Sequence, residues 1–224
     1  MSGRFITFEG GEGAGKSTQI ERLLRHFKDR GVEAIATREP GGSPKAERIR
    51  QSVLAGEAKS FGPFAEALMF SAARIDHLKE TIRPALSRGH FVLCDRFADS
   101  TRAYQGAVGE IASDLIRALE DATIGDTRPD LTFILDVPVE TGLARAAARR
   151  LEAGQGADRF EREDARFHER LREAFLDIAR QEPERCVVVD ASREPDLVEA
   201  DIWRTVAERL LAPATATDMS PANG

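Results

Sequence analysis

The sequence predicts an α/β protein built on a parallel sheet with helices on both faces, and three observations carry that expectation. Short apolar runs alternate with longer helix-like segments, the runs are almost continuously apolar, and the first of them leads into a glycine-rich loop followed by a helix. The five runs are Arg4–Glu9, Val32–Ala36, His90–Asp95, Leu131–Asp136 and Arg185–Asp190. Strands that are apolar on both faces belong to parallel sheets, which gather ligands at the carboxyl ends of their strands. Four runs end there in an acid: Glu9, Asp95, Asp136 and Asp190. Asp136 and Asp190 would serve equally well as structural caps.

The loop after the first run is Gly10-Gly11-Glu12-Gly13-Ala14-Gly15-Lys16-Ser17, followed by Thr18, and it fits G-x-x-x-x-G-K-[ST]. Glycines let consecutive backbone N–H groups curl around a phosphate, the Lys16 ammonium reaches the outer phosphates, and the Ser17 hydroxyl can ligate Mg²⁺. Phe5-Ile6-Thr7-Phe8 ahead of the loop and Ile20, Leu23, Leu24 and Phe27 behind it supply the strand and helix that such a loop requires. The expected architecture is the three-layer P-loop NTPase fold with a five-stranded parallel sheet.

A chain of 224 residues suits one domain, expected over residues 1–211. The stretch after Leu211 has no periodic apolar residues and is expected to be a disordered tail, 212–224. The net charge of −6, from 38 acidic and 32 basic residues, comes without an extended basic block, so long nucleic acids are not expected partners. No apolar run approaches the roughly 20 residues that span a bilayer, and the first residues do not have the charged-then-apolar layout expected of a signal peptide. Cys94 and Cys186 sit inside apolar runs as small buried hydrophobes, as in a reducing compartment. These features predict a cytoplasmic, soluble protein. The four histidines show no ligand spacing, and Trp203 with Val206 and Leu210 reads as core.

Three further segments carry chemistry: Thr37-Arg38-Glu39-Pro40-Gly41-Gly42, the helix holding Phe70 and Arg74, and the run from Asp95-Arg96 to Tyr104-Gln105-Gly106. With the phosphate loop, and in the same order and spacing from about Arg4 to Leu210, they resemble the bacterial thymidylate kinases, P-loop nucleoside monophosphate kinases. The resemblance implies phosphoryl transfer from Mg-ATP to dTMP by a homodimer, in dTTP biosynthesis. Two rivals remain open: a kinase for another pyrimidine monophosphate, and a nucleotide switch that uses the loop without phosphorylating a metabolite.

From Phe61 to Arg88, the residues Phe64, Leu68, Ala72, Ile75, Leu78, Ile82 and Leu86 form one apolar stripe expected to face the sheet. Phe70 and Arg74 lie together roughly 100–140° away from it. An aromatic ring with an arginine one turn later can stack on a planar base and donate to its carbonyl edge. The resemblance makes this pair the reader of thymine; otherwise they are a packed ring and a solvated arginine. Asp95 would hold water on Mg²⁺ and Arg96 would grip the acceptor phosphate with its forked donors, or the two form a structural ion pair. The resemblance also lays Tyr104 against the sugar where a 2′-hydroxyl would project, lines the base and sugar with Ser100, Thr101 and Gln105, and turns Glu12 toward the acceptor's 3′-hydroxyl and the metal.

The Arg38–Gly42 turn is expected to contain a cis Glu39–Pro40 bond that directs the chain across the acceptor site, with Arg38 or Arg50 as a further phosphate partner. Residues 145–160 read as a basic helix end passing into a glycine-containing loop, the expected mobile lid. The phosphate loop holds no arginine, so by resemblance the catalytic arginine is Arg149 or Arg150, with Arg145 nearer the adenine; a basic surface helix without a catalytic role is the alternative reading.

Overall fold

The computed structural model describes residues 3–154, 156 and 159–211. The expected tail at 212–224 and Gln155, Ala157 and Asp158 of the expected lid lie outside the described residues. Five parallel strands form one sheet in the order β2-β3-β1-β4-β5: β1 (Arg4–Glu9), β2 (Ala34–Arg38), β3 (Phe91–Asp95), β4 (Leu131–Asp136) and β5 (Cys186–Asp190). The first and third strands are neighbours, with Phe8 opposite Asp95.

One expected strand moves. The run Val32–Ala36 becomes Ala34–Arg38, because Val32 still belongs to the turn that ends the first helix, its N–H donating to the Phe27 carbonyl. Pairing with β3 then sets Ala34 opposite Phe91 and Arg38 opposite Asp95, which carries Arg38 and Glu39 to the carboxyl edge of the sheet.

The sheet is apolar on both faces because each face packs on helices. On one side Ile6, Phe8, Leu93 and Phe133 meet Ile20, Leu23 and Phe27 of α1 (Lys16–Asp29) and Val198 and Ile202 of α9 (Pro195–Val206). Trp203 closes the edge of this core, stacked on His26 with ring centroids 4.7 Å apart. On the other side Phe5, Val92 and Cys94 meet Leu78, Ile82 and Ala85, while Ile134 and Cys186 meet α8 (Ala165–Gln181). Among the described residues no helix is long and apolar enough to cross a membrane.

The helix after the second crossover corrects the sequence reading. It runs as α3 (Pro63–His77), a wide turn at Leu78–Ile82 and α4 (Arg83–Ser87), after α2 (Pro44–Ala55). Leu78 and Ile82 face the core as expected, with Leu86 partly buried against it and Ala85 buried beside them, but Phe64, Leu68, Ala72 and Ile75 are exposed. The buried stripe of α3 is Glu66, Ala67, Ser71, Arg74 and His77 instead. This stretch packs against a polar cleft, so its buried side chains are small or hydrogen-bonding and its apolar stripe points outward.

The remaining helices are α5 (Ala98–Thr101), continued by a wide turn over Arg102–Val108, α6 (Ser113–Ile124) and α7 (Val139–Ala153). The first turns of α7 touch the glycine-rich loop backbone to backbone. A Cβ on Gly13 would stand 2.0 Å from the Gly142 carbonyl oxygen, and one on Gly142 would stand 2.4 Å from that of Glu12. Glycine at both positions lets the loop seat against α7.

Candidate functional site

The glycine-rich loop leaves β1 at the sheet's carboxyl edge and enters α1 at Lys16, so the first amides of α1 open onto the loop. Gly10, Gly13 and Gly15 adopt φ values of 130°, 65° and 88°, open only to residues without a Cβ at low cost. Lys16 Nζ donates to the carbonyls of Gly10 (3.2 Å) and Gly11 (2.9 Å), folding the ammonium over the loop. Burial lowers the Lys16 pKa, assisted by the charge of Arg96. Ser17 Oγ donates to Asp95 Oδ2 at 2.8 Å, uniting the loop's hydroxyl with the acid that ends β3.

Arg96 sits at a φ of 67°, an uncommon value for a side chain of its size. Its neighbours fix it there: Phe97 N–H donates to Glu9 Oε1 at 2.7 Å, and Ser100 Oγ donates to Glu9 Oε2 at 2.6 Å. The Arg96 guanidinium then reaches back to the Gly10 carbonyl (3.1 Å) and Glu12 Oε1 (2.7 Å) and lies 5.2 Å from the Tyr104 ring centroid. Tyr104 Oη donates to the same Glu12 oxygen at 3.2 Å. Burial alone would raise the Glu12 pKa, but Arg96, Lys16 and the Tyr104 hydroxyl hold it down at about 2. Glu12 is thus a firmly ionised carboxylate inside a phosphate loop, balanced by two cations. Glu9 goes the other way: burial, then the charge of Asp99, raises its pKa to about 8.

Across the cleft, Arg74 is nearly buried between Glu39 Oε2 (2.6 Å from Nε), the Phe97 carbonyl (3.0 Å) and Thr101 Oγ1 (3.1 Å). Removing either member of the Arg74–Glu39 pair strands a buried charge, typically a loss of about 3–5 kcal/mol. The Glu39–Pro40 peptide bond is cis, as expected from the sequence. Arg50 donates to the Pro40 carbonyl at 2.9 Å, while Arg38 pairs with Glu47.

One cleft of about 420 Å³ gathers most of the residues singled out in the sequence. The loop from Glu12 to Thr18 forms its floor, Asp95 and Arg96 one wall, and Phe70, Arg74, Ser100, Thr101, Tyr104 and Gln105 the far end; Arg38, Pro40, Arg50 and Arg149 also line it. Gly10 and Gly11 line a much smaller adjoining cavity. Arg145 and Arg150 stay outside: Arg145 donates to the Ala191 carbonyl at 2.8 Å, and Arg150 pairs with Glu161 at 3.0 Å. Of the remaining strand-end acids, Asp136 takes both forks of Arg172 and Asp190 caps Ser192, so both are structural.

Sequence reasoning missed Glu39, Leu54, Phe97, Phe160 and Glu161, all in the cleft wall. Glu39 and Phe97 lie inside segments already singled out, Phe160 is the last residue of the expected lid, and Glu161 directly follows it. Phe160 packs edge-on against Tyr104, centroids 5.1 Å apart, and faces Phe70 at 6.4 Å.

A family model described as thymidylate kinase matches residues 8–202. The chain is 58% identical over 217 residues to a thymidylate kinase of Rhodopseudomonas palustris (strain ATCC BAA-98 / CGA009), covering 96% of this chain and 94% of that protein. It is 55% identical over 223 residues to one of Nitrobacter hamburgensis, covering 99% and 96%. The crystal structure of thymidylate kinase from Ehrlichia chaffeensis superposes with a TM-score of 0.72 at 34% identity, over 92% of this chain and 99% of that one.

The raised pKa of Glu9 means that folding favours its neutral form. Its contribution to stability is therefore complete below the ordinary carboxyl value of 4.5 and lost as pH rises through about 8. Thermal unfolding followed by calorimetry from about pH 5 to about pH 9 should show Tm falling, and Glu9→Gln should flatten that slope. An unchanged slope in the variant would assign the pH dependence to another group.

Proposed function

The chain belongs to the thymidylate kinase family, and we propose that the cleft residues divide among themselves the work of that family's reaction. The reaction is transfer of the γ-phosphoryl group of ATP to dTMP, giving ADP and dTDP on the way to dTTP. The observation that carries the assignment of roles is the single cleft in which a phosphate loop, a forked arginine and an aromatic–arginine pair converge. Neither another pyrimidine specificity nor a switch without a phosphate acceptor is favoured by these relatives.

An oxygen of the dTMP phosphate attacks the γ-phosphorus in line, and the bond from phosphorus to the bridging oxygen of ADP breaks, with no covalent enzyme intermediate. Loop amides and Lys16 hold the ATP phosphates, and Arg96 aligns the acceptor phosphate. Ser17 and Asp95 are two hard oxygen ligands side by side, and among the described residues no three acids, histidines or cysteines cluster around a metal. This set fits Mg²⁺ shared with nucleotide phosphates and water, not a cage of protein ligands. When bound, the ion neutralises phosphate charge. Glu12, held ionised, accepts from the sugar's 3′-hydroxyl. Phe70 stacks on the base, Arg74 meets its carbonyl edge, and Tyr104 with Phe160 closes over the sugar side.

We take 145–160 as the lid, and within it Arg149 as the catalytic arginine. Arg149 lines the cleft, its charge already acts on Glu12, and its pairing with Glu161 is loose at 3.9 Å. Arg150 pairs with Glu161 but does not itself line the cleft, and Arg145 is fixed on the loop after β5, on the donor side.

The outward stripe of α3 has a use in a homodimer. Leu68 and Ile75 are 46% and 53% exposed, and Leu115 of the adjoining α6 is 44% exposed. Large apolar side chains grouped on one face mark an interface, and a second copy of this chain presents the matching face in a two-fold dimer. Both substrates are metabolites of the cytoplasm, the compartment we assign.

Four outcomes are expected. ADP release by the purified protein with Mg-ATP should be strongest with dTMP among dTMP, dUMP, UMP, CMP and no acceptor. Lys16→Ala should lose about 10³-fold in kcat with the fold kept; near-normal turnover would remove Lys16 from the transition state. In single-turnover assays Arg149→Ala should lose about 10²-fold or more while Arg150→Ala loses less; the reverse order would move the catalytic role to Arg150. Ile75→Glu should shift the sedimenting species from dimer to monomer, and an unaltered dimer would place the interface elsewhere.

A further inference from the structure

Arg74 offers the acceptor site a guanidinium whose other donors are already committed. Of its five N–H groups, the one on Nε goes to Glu39 and the two on Nη2 go to the Phe97 carbonyl and Thr101 Oγ1. Among the described residues nothing accepts from Nη1, and this nitrogen is not shut away from water. Because Arg74 lines the cleft, the pair of donors on Nη1 is what a ligand meets.

Glu39 is held in turn. Its Oε1 lies 3.0 Å from His77 Nδ1, and His77 Nε2 lies 2.6 Å from Thr37 Oγ1. A carboxylate facing an imidazole nitrogen accepts from it, which places a proton on Nδ1; in the neutral imidazole Nε2 is then the acceptor for the Thr37 hydroxyl. Glu39, Arg74 and His77 are 6%, 3% and 0% exposed, a burial that makes each hydrogen bond costly to lose. Packing seals the array. Gly42, at a φ of 79°, lies so near that a Cβ there would stand 2.3 Å from His77 Nε2 and 2.5 Å from Thr37 Oγ1. The turn that carries Pro40 over the acceptor site is therefore seated on the imidazole itself.

We propose that Thr37, His77 and Glu39 form a buried hydrogen-bond relay that fixes the Arg74 guanidinium with Nη1 toward the acceptor base, making Glu39 and His77 positioning residues for base specificity. The proposal rests on the reading that Arg74 meets the carbonyl edge of the base. A guanidinium only donates, so one that cannot turn away accepts a carbonyl and rejects an amino group at the same place. Loosening the relay lets the group retreat, and the rejection weakens before catalysis does.

The test compares kcat and KM for ATP, dTMP and 5-methyl-dCMP, which keeps thymine's outline but carries an amino group in place of the 4-carbonyl. In His77→Ala we expect KM for dTMP to rise about tenfold, KM for ATP to stay within about twofold, and the preference for dTMP over 5-methyl-dCMP to narrow about tenfold. His77→Asn sets a carboxamide nitrogen where Nδ1 stood and should recover most of that preference. Thr37→Val should change it in the same direction by less. If His77→Ala does not fold, the preference ratios of Thr37→Val and His77→Asn decide. An unchanged preference, or a parallel loss of kcat and of both substrates' binding that tracks a lower Tm, overturns the relay. Arg74→Met separates the two failures: if it abolishes the preference while the relay variants keep it, the relay alone fails. If it too keeps the preference, the base reading fails and the relay with it.

Discussion

The tie on which the site depends is the pair of hydrogen bonds that Glu9 accepts from Phe97 N–H and Ser100 Oγ. Glu9 ends β1 and Phe97 follows β3, so this carboxyl group joins the two strands from which the donor and acceptor halves of the cleft grow. By fixing the residues on its C-terminal side, it holds Arg96 in a left-handed conformation that the chain would not otherwise choose. From there Arg96 reaches the Gly10 carbonyl and Glu12, and the loop, Arg96 and Tyr104 become one connected network.

That network also explains how a chain with net charge −6 builds a site for two polyanions. Lys16, Arg74, Arg96 and Arg149 line the cleft, and each already faces carboxylates: Glu12 and Asp95 beside the glycine-rich loop, Glu39 against Arg74, and Glu161 against Arg149. The cations are thereby held in place before any ligand arrives. Preorganisation of this kind is the principal resource of phosphoryl transfer, where the protein forms no bond to the transferring group and acts by position and charge. Burying the Glu39 and Glu12 carboxylates costs solvation, and Arg74 and Arg96 lying against them offset that cost.

The outward stripe of α3 shows where pattern reading reaches its limit. Phe64, Leu68, Ala72 and Ile75 do share a helix face, as their spacing says, yet that face is exposed while Glu66, Ser71, Arg74 and His77 are buried. Periodicity reports which residues lie side by side and is silent on what they pack against. Half a helix that walls a polar cleft reverses the usual rule, and nothing in a local window announces the reversal.

By itself the sequence determined the strand–loop–helix at the phosphate loop, the parallel sheet, the four strand-end acids, the cis bond before Pro40 and the segments that meet in the cleft. The loop, the sheet and the acids follow from local chemistry: glycines free to take positive φ, strands apolar on both faces, a motif at fixed spacing; the segments that meet in the cleft were legible through their resemblance to a known family. Tertiary structure alone decided which acids are structural, Asp136 by meeting Arg172 and Asp190 by capping Ser192. It also decided that Arg149 rather than Arg145 or Arg150 lines the cleft and that Glu39, Phe160 and Glu161 share its wall. Those outcomes depend on side chains distant in sequence: Arg74 and Glu39 are 35 residues apart, and Arg96 and Glu12 are 84. A charge's partner is chosen by where the sheet places it, and only the folded chain contains that distance.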